Sequence, residues 1–206
     1  DYRVRLYDAD ATALEMAKGL IGADLDLLVE EGLCPASKRE QTLGNILVTE
    51  SLKEAVASAE FITEAVPECL ELKWQVLASI EALSLKSAIV ASNTSTLPLS
   101  EMARHLARPE QMIITHFFNP AHLVPLVEVI KAEITPEEVL SDVLTLLRRI
   151  GKVPVVLKKE VPGFIANRLQ AAVMREALHL VHSGVADMHD VDAAMTCGPG
   201  FRWSII

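Results

Sequence analysis

The sequence predicts an α/β fold, a mainly parallel sheet covered by helices over residues 1–160, followed by a smaller all-helical domain over residues 161–206. Two observations predict it. Short apolar runs of strand length alternate with stretches of helical period, as in successive β-α-β units. From Glu160 onward that alternation stops and the pattern is helical alone. The chain has 206 residues, half of them hydrophobic, enough to bury a core in one large domain or two modest ones.

Taken in order, "DYRVRLYD" alternates as a strand and ends on Asp8, and a helical stretch runs from Ala9 to Glu31. Strands are expected in "NILVTES", "AEFITEAV" and "SAIVASNTS". Helices are expected in "LELKWQVLASIEAL" and "SEMARHL", the second with Ser100 as its N-cap. The strands "MIITHFF" and "LVEVIKAEI" follow, then the helix "PEEVLSDVLTLLRRI" and a last strand "KVPVVLKK". Beyond it, "VPGFIANRLQAAVMREALHLVHSG" reads as one long helix, with Pro162 near its first turn and Gly184 at its stop. A shorter helix runs from Ala186 to Thr196, and no internal repeat is visible.

The charge balance excludes some partners. With 28 acidic and 19 basic side chains the formal charge is −9, which disfavours non-specific binding to nucleic acid or an anionic membrane. No run approaches the ~18 apolar residues of a membrane helix, and no signal peptide opens the chain, so the expected compartment is the cytoplasm. Cys34, Cys69 and Cys197 are widely spaced and in no metal-ligand pattern, so free thiols are expected and no metal site is.

Several residues carry chemistry. Asp8 ends a strand where a dinucleotide-binding fold holds the adenosine ribose, although a cap for the following helix explains it equally well, and Asp10 offers a second cap. The glycine-rich turn of such folds belongs about twenty residues earlier, and the sequence starts too late to hold it. Glu64, Glu68 and Lys73 fall at the carboxyl edge of the expected sheet, where ligands bind, and a solvated acidic helix start would look similar. Hydroxyls at Ser92, Thr94, Ser95 and Thr96, with the amide of Asn93, are suited to a polar ligand. His116 ends a strand, and Glu128 lies in an apolar run that the Asn119–Pro120 loop can fold back beside it. An imidazole next to a buried carboxylate is a general base suited to removing a proton from an alcohol. Asn119 and Asn167 also interrupt apolar surroundings. The remaining histidines read as surface or packing residues.

The motifs "SNTSTL", "HFFNP", "LVEVI", "PGFIANRL" and "REALHLV", ordered across nearly the whole chain, resemble the 3-hydroxyacyl-CoA dehydrogenase family. The resemblance implies a Rossmann-type NAD-binding domain, its first strand lying ahead of this sequence, and a helical domain supplying most of a homodimer contact, with catalysis between the two. It implies that His116 is the catalytic base and Glu128 its orienting carboxylate. Ser95 and Asn167 then hold and polarise the substrate's 3-oxygen, and Asn119 lies beside the nicotinamide and substrate. Asp8 binds the adenosine ribose, while Glu68, Lys73 and Asn93 line the cofactor groove.

Two departures bear on the substrate. Acyl-CoA members carry a serine and lysines after the ribose aspartate, whereas "IGADLDLLVEEGL" here is acidic. The segment "GPGFRW" is similar to the branch containing carnitine and gulonate dehydrogenases and lambda-crystallin, and Arg202 is suited to a free carboxylate. Against these, "SNTSTL" and "HFFNP" keep the acyl-CoA form. The sequence is therefore read as an L-3-hydroxyacyl-CoA dehydrogenase. The alternatives are a dehydrogenase of a small 3-hydroxy acid and a non-catalytic crystallin-like protein.

Overall fold

The computed structural model describes residues 2–205, which divide into two compact units, the first ending at Pro162 and the second beginning at Gly163. The first unit holds every strand among the described residues. β1 (Val4–Tyr7) pairs in parallel with β2 (Ile46–Thr49). The other five, β3 (Phe61–Glu64), β4 (Ile89–Ser92), β5 (Met112–Phe117), β6 (Leu126–Lys131) and β7 (Val153–Val156), form one sheet in sequence order. All its pairings are parallel except β5 with β6, which is antiparallel because the short Asn119–Pro120 loop turns the chain straight back. β1 and β3 are not hydrogen-bonded to each other, and in a doubly wound fold a central strand lies between those two positions.

Helices cover both faces of the five-stranded sheet. α6 (Glu137–Arg149) carries its apolar residues on one stripe, and Leu140, Val143 and Leu147 pack on Ala91, Ile113, Val127 and Val129. Side chains alternate along a strand, so Met112 and Ile114 face the other way, toward α4 (Leu70–Leu83) and α5 (Leu99–Met102). His116 continues that second row, and Glu128 is its cross-strand partner.

Several local expectations change. The first expected helix is α1 (Ala11–Glu30), capped by Asp10, which accepts from the Thr12 amide at 2.8 Å, and a further helix, α2 (Ala36–Gly44), follows where none was expected. Asp8 instead accepts from the Asp10 amide at 2.9 Å, so it shapes the turn before the cap. A short helix α3 (Leu52–Val56), capped by Ser51, was not apparent in the sequence. Ser100 is not an N-cap: α5 starts at Leu99, and the distant Glu160 carboxylate accepts from the amides of Leu99 and Ser100 and from the Ser100 hydroxyl. A tertiary contact has replaced the local one there.

The second unit contains α7 (Ala166–His182), α8 (Met188–Cys197) and α9 (Pro199–Ile205). Pro162 precedes α7 by four residues, outside its first turn, since a turn over 162–165 intervenes. Gly184 stops the helix in a left-handed conformation, φ +73°. No described helix is long and apolar enough to cross a membrane.

Candidate active site

At the carboxyl ends of β3, β4 and β5 the sheet carries buried polar side chains on its α4 face. His116 and Glu128 occupy directly opposed positions on β5 and β6, with His116 Nδ1 2.9 Å from Glu128 Oε2. They are 6% and 1% exposed, respectively. A carboxylate buried on this face of the sheet requires a proton or positive charge nearby, and the antiparallel register supplies the imidazole. Phe118 packs on the imidazole, its centroid 4.8 Å away. Asn93 Oδ1 accepts from the Phe117 amide at 2.9 Å, which ties the end of β4 to the strand next to His116.

A second buried cluster lies at the end of β3. Lys73, 1% exposed, points its ammonium at Glu64 Oε1 (2.8 Å), the Val66 carbonyl (3.0 Å) and Glu68 Oε2 (3.5 Å). Glu64 also accepts from the Ser92 hydroxyl (2.5 Å) and the Val66 amide (2.7 Å). The hydroxyl-rich turn is therefore largely committed to the protein: Ser92 to Glu64, and Thr94 and Thr96 to Glu68. Ser95 differs, because its hydroxyl has no partner among the described residues. The sequence showed the hydroxyls, while the three-dimensional pairing decides which one is available.

Asn119 is exposed on the loop between β5 and β6, and Lys152 steadies that loop by donating to the carbonyls of Ala121 and Val124. His122, read from the sequence as unaccompanied, lies 3.3 Å from Asp24 of α1. In the same acidic stretch Asp26 accepts two bonds from Arg39 of α2, at 2.5 and 3.0 Å, and the guanidinium holds its carboxyl below the ordinary value. Part of the acidity of α1 is thus paired locally, a feature that sequence separation concealed. Asn167 lies at the start of α7 and an exposed Arg202 on α9, both in the second unit.

The residues present fit the ribose end of a dinucleotide. The Asp8 carboxylate is exposed at the carboxyl end of β1, and only Oδ1 has a partner among the described residues. The sequence contains no G-x-G-x-x-G turn to cradle the pyrophosphate.

Comparison with known proteins identifies the family. Residues 1–161 match the 3-hydroxyacyl-CoA dehydrogenase NAD binding domain, and residues 163–206 match the C-terminal domain of the same family. The chain is 38% identical to L-carnitine dehydrogenase of Streptomyces coelicolor, over 100% of this chain and 63% of the relative. It is 35% identical to 5-formyl-3-hydroxy-2-methylpyridine 4-carboxylate 5-dehydrogenase of Mesorhizobium japonicum, over 99% of this chain and 65% of the relative. The crystal structure of Escherichia coli 3-hydroxybutyryl-CoA dehydrogenase superposes with a TM-score of 0.88 at 33% identity, over 94% of this chain and 40% of that one. The chain thus spans less than two thirds of the length of these relatives. With both domain matches in sequence order and a mainly parallel α/β unit preceding a helical one, the chain belongs to the 3-hydroxyacyl-CoA dehydrogenase family, and its first unit is that family's NAD-binding domain.

Proposed function

We propose that the protein is an NAD-dependent dehydrogenase that oxidises the 3-hydroxyl of a small hydroxy acid of the carnitine type. The chemistry rests on one observation, the buried His116–Glu128 pair on adjacent strands. With Nδ1 committed to Glu128, the hydroxyl proton passes to Nε2, and the carboxylate stabilises the imidazolium that results. Bound NAD supplies the hydride acceptor. Loss of the proton to His116 and of hydride from C3 leaves a ketone. Ser95 and Asn167 hold its oxygen, Asn119 borders the reacting groups, and Asp8 binds the ribose, with Glu68, Lys73 and Asn93 shaping the groove beside it.

The choice of a free acid over a CoA thioester reverses the preference drawn from "SNTSTL" and "HFFNP". Its support is the 38% identity to an L-carnitine dehydrogenase over the whole chain, together with an exposed Arg202 suited to one carboxylate. The match to a 3-hydroxybutyryl-CoA dehydrogenase structure favours the acyl-CoA reading, as does the pairing of Asp26 with Arg39, which leaves α1 less repulsive toward phosphates.

Steady-state assays of the full-length protein separate the two. Turnover of L-carnitine with NAD is expected, and Arg202→Ala is expected to raise its KM ten- to a hundredfold, or about 1.5 to 3 kcal/mol for a lost charge-assisted bond. Reduction of acetoacetyl-CoA by NADH without turnover of carnitine would establish the acyl-CoA reading instead. Asp8→Ala is expected to narrow the preference for NAD over NADP by about tenfold, since an aspartate accepts from the ribose and repels a 2′-phosphate. An unchanged NAD to NADP ratio would remove Asp8 from the cofactor site.

The protein is further proposed to be a cytoplasmic homodimer. Exposed Leu169, Met174 and Leu178 of α7 and Phe201 and Trp203 of α9 provide the apolar surface that subunit contact requires.

A further inference from the structure

Hydrogen bonds around Glu68 converge on one atom. Oε1 accepts from the Thr94 hydroxyl (2.5 Å), the Ser95 amide (3.1 Å), the Thr96 amide (3.0 Å) and the Thr96 hydroxyl (2.9 Å). Four donors from three consecutive residues wrap the turn around a single carboxylate oxygen. Thr94 Oγ1 in turn accepts from the amides of Thr96 (3.3 Å) and Leu97 (3.0 Å), which closes the turn on itself. Glu68 is located from the core as well: its Oε2 lies 3.5 Å from Lys73, which Glu64 and the Val66 carbonyl fix in place. Within this turn the Ser95 backbone is bound while its hydroxyl has no partner among the described residues.

We propose that Glu68 is a positioning residue, whose carboxylate holds the Thr94–Thr96 turn in the shape that presents the Ser95 hydroxyl to the substrate. The inference rests on the reading of Ser95 as a substrate-holding group. An acidic residue that merely opened helix α4 would not collect the amides of another loop. Charge is necessary to this role, because an ionised carboxylate is acceptor-only and can take several donors at once. Burial works to raise the Glu68 pKa, but the bonds from Thr94 and Thr96 and the charge of Lys73 outweigh it and hold the group at about 2. The folded-state value lies below the ordinary one of 4.5, so the stabilisation is complete above about pH 4.5 and is lost as pH falls toward 2. At working pH the turn stays closed.

The test combines hydrogen exchange with a double-mutant cycle on the full-length protein. In Glu68→Ala the amides of Ser95 and Thr96 are expected to exchange at least tenfold faster than in the wild type, while Glu68→Gln, which keeps one acceptor oxygen, recovers part of the protection. Glu68→Ala is also expected to lower kcat by up to about a hundredfold, the effect of a small misplacement of a substrate contact. In a Ser95→Ala background the same substitution should cost little more, because its effect passes through Ser95. Unchanged exchange at residues 95 and 96 would overturn the proposal whatever the activity. Fully additive kcat losses would overturn it in favour of an independent role. A wild type without dehydrogenase activity would sink the functional reading instead, and the exchange measurement would still decide whether Glu68 orders the turn.

Discussion

Replacing His116 with alanine is expected to lower kcat by about a hundredfold to ten-thousandfold, the range over which a positioned general base contributes, while NADH binding stays near the wild-type level. The expectation follows from geometry. The imidazole lies at the carboxyl end of β5, paired at 2.9 Å with a carboxylate that the antiparallel register places opposite it. Glu128→Gln should cost nearly as much although the side chain keeps its size. An amide can present N–H to Nδ1, which shifts the ring proton to Nε2, the atom that must accept the substrate proton. Steady-state kinetics with NADH fluorescence titration measures both effects. Wild-type turnover in His116→Ala would reduce the pair to a structural contact.

The largest stability effect is expected at Lys73. Its ammonium is buried with Glu64, and removing one member of such a pair leaves an uncompensated charge, at a cost of about 3 to 5 kcal/mol. Lys73→Met keeps most of the side-chain volume and removes the charge. Glu64 would retain its bonds from Ser92 and the Val66 amide, so the expected loss lies near the lower end, about 3 kcal/mol. That corresponds to a fall in Tm of about 6 to 12 °C for a chain of this size. Pairing Lys73→Met with Glu64→Leu should recover part of the loss, since the stranded carboxylate is then gone too. Urea denaturation provides the measurement, and a Lys73→Met change below about 0.5 kcal/mol would mean that water reaches the cluster.

Strand and helix placement was legible where period and length agree. The helix expected at residues 70–83 is α4 itself, and the apolar runs around residues 46, 61, 89, 112, 126 and 153 all became strands. Those signals are local, because a side-chain period of 2 or 3.6 survives any tertiary arrangement. The short helices α2 and α3 escaped notice because a polar, nine-residue stretch and a five-residue one carry too little periodicity.

The sequence by itself determined the alternation of strands and helices, the change to a helical tail, and a histidine and glutamate twelve residues apart in apolar runs joined by a loop that can reverse. Only the tertiary structure decided the use of each polar side chain. Ser100 has every local mark of an N-cap, yet a carboxylate 60 residues away holds its amide. Among the hydroxyls from Ser92 to Thr96, three are committed to Glu64 and Glu68, and Ser95 alone has no hydroxyl partner among the described residues. Asp26, which adds to the acidity of its helix in the sequence, is neutralised by Arg39 thirteen residues on. A hydrogen bond or ion pair depends on distance and burial, which are properties of the packed chain, whereas the pattern that forms a helix or strand is written along the chain itself.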